Sequence, residues 1–322
     1  MNDLPHGAEH SPALRESGEQ YRRLIAATRD LDPIVTAVAH PVDRLSLGGA
    51  LEAQALSLIT PILVGPKAKI LAAADALGER LDETAIVDVP HSHAAAAKAV
   101  ALVREGRARA LMKGALHTDE LMGEVVSKDH GLRTERRISH IFAMDVPTYS
   151  KPILITDAAI NIYPDLETKR DITQNAIDLA HALGTAKPKV AILSAVETIY
   201  PKIPSTVEAA ALCKMADRGQ ITGALLDGPL AFDNAISKEA AQTKGIVSEV
   251  AGDADILVVP DLEAGNMLAK QLEYLASADS AGIVLGARVP IVLTSRADKV
   301  LNRLASCAVA QLYAHHHTQA AG

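Results

Sequence analysis

The chain has 322 residues, 48 % hydrophobic and 22 % charged, an ordinary globular composition that excludes disorder over most of its length. Its formal net charge is −7, which argues against binding nucleic acid or an anionic membrane surface through net charge. No stretch approaches the roughly 20 apolar residues of a transmembrane helix, and the polar N-terminus has no signal-peptide core. We therefore expect a cytoplasmic protein, with Cys213 and Cys307 as buried free thiols.

Short apolar runs recur along the chain, and most are continuous rather than alternating. Continuous runs are typical of strands buried on both faces of a largely parallel sheet. The runs are 61–65, 85–89, 110–114, 152–157, 190–194, 223–228, 255–260 and 290–295. Between them, Ile172, Ala176 and Leu179 share one helix face, and Ser205 with Glu208 reads as a capping box. The alternation predicts an α/β fold, a parallel or mixed sheet with helices on both faces.

The length favours two domains, at roughly 150 residues each. Candidate hinges lie at 145–151, which contains Pro147, and at 286–290. They divide the chain into a polar N-terminal tail (1–20), a first α/β domain (21–147 plus 288–322) and an inserted second α/β domain (148–287).

Polar residues and glycines gather where the apolar runs end, and in open parallel sheets ligands bind outside the carboxyl ends of strands. In MKGALHTD (112–119), His117 and Thr118 follow a strand that ends at Lys113-Gly114. A helix N-terminus at this point would suit an anion. The alternative is a routine strand–loop–helix junction with a surface histidine.

A second segment, LRTERRISHIF (132–142), concentrates Arg133, Arg136 and Arg137 in a net-acidic chain. Guanidinium groups match phosphate geometry, although a solvated charged face would give the same pattern. Two further strand-end turns, at Asp227 in LLDGPLAFDNA and at 258–266 (VVPDLEAGN), are candidates to line a cleft.

The segment SRAD (295–298) follows the strand PIVLT. Arg296 could hold a phosphate, Ser295 could donate to a carbonyl oxygen as charge develops on it, and Asp298 could accept a proton. A capping serine with a surface ion pair is the alternative. The sequence has no dinucleotide-binding, Walker, zinc-protease or nucleophile-elbow motif, and the C-terminal run of histidines is expected to be solvated tail.

Taken together, the segments resemble the phosphate acetyl/butyryl transferase family. The resemblance rests on PILVGP (61–66), KGALHT (113–118), RRISHIFAM (136–144), DGPLAFDNA (227–235), VVPDLEAGNMLAKQLEYL (258–275) and PIVLTSRAD (290–298). It implies reversible acyl transfer between coenzyme A and inorganic phosphate, with acyl-CoA, CoA, phosphate and acyl phosphate as substrates. It also implies a two-domain fold similar to isocitrate and isopropylmalate dehydrogenases, an active site in the interdomain cleft, a homodimer, and no metal or redox cofactor.

The resemblance further implies catalytic roles for Ser295 and Arg296, which match the family's Ser-Arg pair. The base is open: Asp298 is the nearest carboxylate, whereas the acetyl branch places its aspartate near the position of Asn302. Substrate-binding candidates are His117, Thr118, Arg133, Arg137, Asp227, Asp261, Gly265 and Asn266.

Two alternatives remain open at the level of the sequence. One is an NAD- and metal-dependent decarboxylating dehydrogenase of the same fold, with Asp227, Asp233 and Asp261 as possible metal ligands. The other is a non-catalytic module that senses an acyl-CoA. The acyl chain, acetyl or butyryl, is not determined by the sequence.

Overall fold

The computed structural model describes residues 15–293 and 299–320 of the chain. Its strands form one mixed sheet of eleven strands. The strands are β1 (Ile34–Ala39), β2 (Ile59–Gly65), β3 (Ile86–Asp88), β4 (Ala110–Lys113), β5 (Ser139–Asp145), β6 (Ile153–Thr156), β7 (Lys189–Leu193), β8 (Leu225–Leu230), β9 (Ile256–Val258), β10 (Asp279–Leu285) and β11 (Ile291–Val292). Their order across the sheet is β3-β2-β1-β4-β11-β10-β5-β6-β9-β7-β8.

Helices connect most of the strands, as the sequence predicts for an α/β fold. They are α1 (Glu19–Ala27), α2 (Arg44–Ala55), α3 (Lys67–Leu77), α4 (Ser92–Arg104), α5 (Thr118–Val125), α6 (Leu166–Ala182), α7 (Pro204–Asp217), α8 (Phe232–Ile236), α9 (Lys238–Thr243), α10 (Leu262–Leu275) and α11 (Val300–Ala320). Several begin at an aspartate whose carboxylate accepts the N–H three residues on, which satisfies a donor that the helix leaves free. Asp43, Asp165 and Asp261 cap α2, α6 and α10 in this way.

The sheet consists of two parallel halves that run in opposite directions. β1, β2, β3, β4 and β11 are parallel to one another, and β6, β7, β8 and β9 form the second parallel set. Between them, β10 is antiparallel to both β11 and β5, and β5 is antiparallel to β6. The carboxyl ends of the two sets therefore lie at opposite edges of the sheet. The expectation that the strand-end residues share one site is wrong in this respect.

The core is built from small aliphatic side chains on both faces of the sheet, which explains the continuous apolar runs. Within β1, Val38 lies in one buried cluster while Ala37 and Ala39 lie in another. Cys307 is buried and Cys213 is partly buried, both as free thiols. Burial raises the pKa of each thiol to about 12, so both are poor nucleophiles at neutral pH.

The predicted capping box of Ser205 and Glu208 is wrong. The helix α7 begins at Pro204, so Ser205 is inside the helix rather than its cap. The hydroxyl of Ser205 lies 2.8 Å from that of Ser194, and Glu208 forms an ion pair with Lys169 of α6. Tertiary contacts use both side chains of the predicted capping box.

The predicted N-terminal tail also ends earlier than residue 20. Gln20 and Tyr21 are buried in the first turn of α1, and residues from Arg15 onward contact the central strands.

The division into two domains stays a prediction. None of the helices in the described part of the chain is long and apolar enough to cross a membrane.

Gly114 allows the chain after β4 to approach the end of β1. A Cβ at this position would lie 2.4 Å from the carbonyl oxygen of Ala39 and 2.7 Å from that of His40. We expect Gly114→Ala to lower the free energy of unfolding by about 2 kcal/mol, because rigid backbone must shift to accommodate the methyl group.

The measurement is urea unfolding, with Gly123→Ala as the matched control. Gly123 lies inside α5, and nothing lies within 4 Å of its Cβ position, so alanine there is expected to stabilise by up to about 1 kcal/mol. Equal stabilities of the two variants would contradict the close approach.

Candidate functional site

His117 and Thr118 lie at the amino end of α5, where the chain leaves β4. The N–H of Gly114 donates to Ala39 O at 2.9 Å and that of Ala115 to His40 O at 2.8 Å, which joins the ends of β1 and β4. His117 precedes the first residue of the helix without capping it through its side chain, and both His117 and Thr118 are exposed. Their side chains and the first-turn N–H groups of the helix can therefore contact an anion.

The strand β11 is parallel to β4 and ends at the same edge of the sheet, with Ile291 and Val292 paired to Leu111 and Met112. The segment that carries the three predicted catalytic residues continues from this edge. Ser295, Arg296 and Asp298 themselves lie outside the described residues.

Arg133 and Arg137 line a cleft of about 540 Å³ beside the amino end of β5, and Arg136 and Arg170 also line it. Two of these four arginines are engaged: Arg136 forms an ion pair with Asp178, and Arg170 pairs with Asp171 at 2.9 Å. Arg133 and Arg137 are exposed. Neither guanidinium forms an ion pair within residues 15–293 and 299–320, so both can bind an anionic ligand.

One wall of this cleft is held by Asp157, which follows β6 and is buried. Its carboxylate accepts N–H groups of His140, Ala159, Ile160 and Asn161 at 3.0 to 3.2 Å. Backbone donors of this kind stabilise a buried carboxylate without a cation. Asp157 therefore joins β5 to the loop after β6.

The predicted residues at the start of α10 pack against the same loop. Asp261 caps the helix by accepting the N–H of Ala264 at 2.9 Å, and Asn266 donates to Ala158 O at 3.3 Å. A Cβ on Gly265 would lie 2.9 Å from the carbonyl oxygen of Asp157. Asp261 and Asn266 have structural hydrogen bonds, and Gly265 lets the helix approach closely.

Asp227 does not join these residues. The predicted strand end at Asp227-Gly228 is wrong, because β8 continues through both residues to Leu230. The carboxylate of Asp227 accepts the N–H of Gly228 at 2.8 Å. Since β8 is the outermost strand of the sheet, four strands away from β5, Asp227 is separated from the arginine cleft.

His140 belongs to the same strand end as Arg137 and is buried, but sequence reasoning did not select it as a site residue. Its ring packs edge-on against Phe142, with centroids 4.4 Å apart, and its Nδ1 has no hydrogen-bond partner within the described ranges. A Cβ on Gly282 would lie 3.0 Å from Nε2 of His140 and 3.1 Å from the carbonyl oxygen of Leu293. The imidazole therefore lies close to Leu293, the residue at which the chain leaves β11.

Burial lowers the pKa of His140 to about 4, and the positive charge of Lys270 contributes in the same direction, whereas Asp157 opposes it. The imidazole is therefore neutral at physiological pH. The only sequence signal for this residue was its place in the arginine-rich segment.

The structure thus groups seven of the eight predicted substrate-binding residues at two places and leaves Asp227 apart. His117 and Thr118 lie at the edge where β4 and β11 end. Arg133, Arg137, Asp261, Gly265 and Asn266 lie around the loop after β6 at the other edge. No cluster of three or more histidine, cysteine, aspartate or glutamate side chains suited to a metal ion occurs in the part of the chain that the structure describes.

Residues 90–311 match the family model described as phosphate acetyl/butaryl transferase. A phosphate acetyltransferase of Rhizobium meliloti is 70 % identical over 295 residues, covering 92 % of this chain and 93 % of that protein. A phosphate butyryltransferase of Clostridium acetobutylicum is 40 % identical over 296 residues, covering 92 % and 98 %. The crystal structure of a branched-chain phosphotransacylase from Enterococcus faecalis V583 matches with a TM-score of 0.75 at 33 % identity, over 88 % of this chain and 100 % of that chain.

The neutral state of His140 predicts a pH dependence of stability. Above about pH 6.5 the imidazole is neutral in both the folded and the unfolded chain. Between there and about pH 4, only the unfolded chain binds the proton, so stability falls as the pH falls. The full effect is about 3 kcal/mol, and we expect His140→Asn to remove it.

The measurement is the difference in unfolding free energy between pH 7.5 and pH 4.5, compared between wild type and variant. This difference cancels the cost of packing asparagine in the core. His316→Asn, at an exposed position on α11, is the control and should leave the difference unchanged. An equal pH dependence in wild type and His140→Asn would show that His140 titrates normally.

Proposed function

The chain belongs to the phosphate acetyl/butaryl transferase family, and we propose that it catalyses reversible transfer of an acetyl or short-chain acyl group between coenzyme A and inorganic phosphate. The observation that carries this function is the 70 % identity to a phosphate acetyltransferase over nearly the whole of both chains. The lower identity to a phosphate butyryltransferase, 40 %, favours acetyl as the preferred acyl group.

The reaction needs no covalent enzyme intermediate. A phosphate oxygen attacks the thioester carbonyl carbon, the C–S bond breaks, and the CoA thiolate leaves and takes up a proton. In reverse, the thiol loses its proton and attacks the acyl phosphate. The enzyme must align the two substrates, stabilise the negative charge on the carbonyl oxygen and supply a base.

We assign these tasks to the segment that follows β11. Arg296 binds the phosphate group, Ser295 donates to the carbonyl oxygen, and Asp298 is the base for the CoA thiol. The alternative position for a base, Asn302, lies buried in the first turn of α11 and carries no carboxylate. Because the asparagine side chain at position 302 cannot accept the thiol proton as a carboxylate can, Asp298 is the better candidate for the base.

The remaining polar sites suit the phosphates of the substrates. Arg133 and Arg137 present guanidinium groups without ion-pair partners in the described ranges, and His117 and Thr118 present a helix N-terminus. We keep Asp261, Gly265 and Asn266 as residues that shape the substrate cleft. Asp227 is the least supported of the predicted binding residues, because it lies on the far strand of the sheet.

The proposal includes the architecture of an isocitrate or isopropylmalate dehydrogenase, with two domains and the site in the cleft between them. Its support is the reversal of strand direction at β10 and β5, which divides the sheet into two parallel halves. The domain limits would be 21–147 plus 288–322 and 148–287.

We also propose a homodimer. Met267, Tyr274 and Leu275 are exposed on α10, as are Ile199 and Tyr200 after β7. An apolar groove of about 570 Å³ lies between these elements, lined by Leu268, Leu272 and Phe232 among others. Exposed apolar surface of this kind is typical of an interface with another chain.

The two alternative functions have less support. The carboxylates suggested as metal ligands for a dehydrogenase, Asp227, Asp233 and Asp261, form no metal-binding group within the described residues. For the acyl-CoA sensor, no observation on the described residues favours binding without turnover. We expect turnover with acyl-CoA and phosphate alone, and no role for nucleic acid or a membrane.

The proposed function is tested by release of free thiol from acetyl-, propionyl- and butyryl-CoA, with and without phosphate, in the presence of EDTA and without NAD. We expect phosphate-dependent release that is fastest with acetyl-CoA. Absence of release from all three thioesters by folded protein would contradict an acyltransferase. Release that requires a metal and NAD would favour the dehydrogenase.

The role of Arg296 is tested by Arg296→Ala. Loss of a charge-assisted phosphate contact should raise the KM for phosphate by about one to two orders of magnitude, which corresponds to about 2 kcal/mol. The control is Arg218→Ala, at the exposed end of α7, which should leave KM unchanged. An unchanged phosphate KM in Arg296→Ala would reject Arg296 as the phosphate-binding residue.

A further inference from the structure

Two buried carboxylates face each other across the central antiparallel strands. Asp145 ends β5, Asp279 begins β10, and the two are paired in register. Both residues are 2 % exposed. Like charges at directly opposed positions repel each other, and a buried carboxylate needs a cation or hydrogen-bond donors. The partners of these two aspartates therefore determine how this end of the sheet is held.

The segment before α1 supplies the partners of Asp145. The guanidinium of Arg15 contacts Asp145 at 3.0 Å and also donates to the carbonyl oxygens of Val146 and Tyr149. The N–H of Gln20 donates to the second carboxylate oxygen at 3.0 Å. Residues of the predicted polar tail thus neutralise a buried charge at the end of a central strand.

Asp279 connects this segment to the start of α11. The hydroxyl of Ser17 donates to one carboxylate oxygen at 2.5 Å, and the ammonium of Lys299 lies 2.8 Å from the other. Gly18, with a positive φ of 74°, packs so closely on α11 that a Cβ there would lie 2.4 Å from Cδ2 of Leu301. One carboxylate therefore holds together the N-terminal segment and Lys299, the residue directly before α11.

Lys299 directly follows Asp298 in the chain. We propose that Asp279, with Ser17 and Lys299, is a positioning cluster for catalysis: it holds the chain at the point where the segment bearing Ser295, Arg296 and Asp298 enters α11. The proposal rests on the proposed function, since it assigns the cluster a part in acyl transfer. None of the three residues contacts substrate in this role.

A positioning role predicts a loss in turnover rather than in substrate binding. We expect Lys299→Met to lower kcat about tenfold while the KM values for acyl-CoA and phosphate change less than about twofold. Lys299→Arg keeps the positive charge beside Asp279 and should restore most of kcat. Ser17→Ala should lower kcat in the same sense but by less, because it removes one neutral donor.

The matched control is Lys189→Met. Lys189 forms an ion pair of similar length with Asp253, 2.6 Å, at the start of β7, away from α11. It should leave kcat unchanged. A purely structural role for Lys299 would lower thermal stability in both lysine variants without a specific fall in kcat, and that result would overturn the proposal.

A second measurement does not depend on activity. Amide hydrogen exchange of peptides that cover 299–306 should be faster in Ser17→Ala than in wild type, because the N-terminal segment no longer holds Asp279. Unchanged exchange would overturn the cluster even in an active enzyme. Wild-type protein without acyl transfer, combined with faster exchange in Ser17→Ala, would instead reject the proposed function and keep the structural link.

Discussion

The pairing of β5 with β10 is the interaction on which the arrangement of the sheet depends. All seven residues of β10 pair with β5 in one antiparallel register, and on either side of this pair lies a parallel set of strands with helical connections. Because the two sets point in opposite directions, their carboxyl ends lie at opposite edges of one sheet. Within the described residues, this reversal places His117 and the end of β11 at one edge, and the arginine cleft with the start of α10 at the other.

Buried aspartates at the ends of the central strands hold the neighbouring chain in place. Asp145 and Asp279 bind the N-terminal segment and the start of α11, and Asp157 binds the loop that packs against α10. Burying a carboxylate without partners is unfavourable, and each of these three carboxylates accepts hydrogen bonds from two or more donors. Asp157 in this way holds one wall of the cleft that the exposed Arg133 and Arg137 line.

The sequence was informative about strands with a uniform apolar pattern and less so about the others. Each of the eight apolar runs contains a strand, but β1, β5 and β10 were missed. β5 reads SHIFAMD and β10 reads DSAGIVL, so both contain polar residues and β10 contains glycine. Their polar side chains are buried because they meet partners distant in sequence, such as Ser17 and Lys299 for Asp279. These partners follow from topology, and a single sequence does not reveal the topology.

For the candidate site, the sequence identified the segments but not their grouping. The order of KGALHT, RRISHIF, PDLEAGN and TSRAD was enough to suggest the family, whereas the distances between these segments depend on strand direction. Asp227 was misplaced because a Gly-Pro pair normally ends a strand, while here β8 continues through it at the sheet edge. His140 was overlooked because a histidine among arginines resembles a surface residue.

The continuity of the sheet also limits how the two halves can move. In a protein whose domains are joined only by flexible peptides, a substrate cleft closes by rotation about a hinge. Here the ladder from β11 through β10 and β5 to β6 crosses the boundary between the halves, so a large rotation would break backbone hydrogen bonds between central strands. Relative motion of the two halves that keeps this ladder intact is therefore confined to changes in the twist of the sheet.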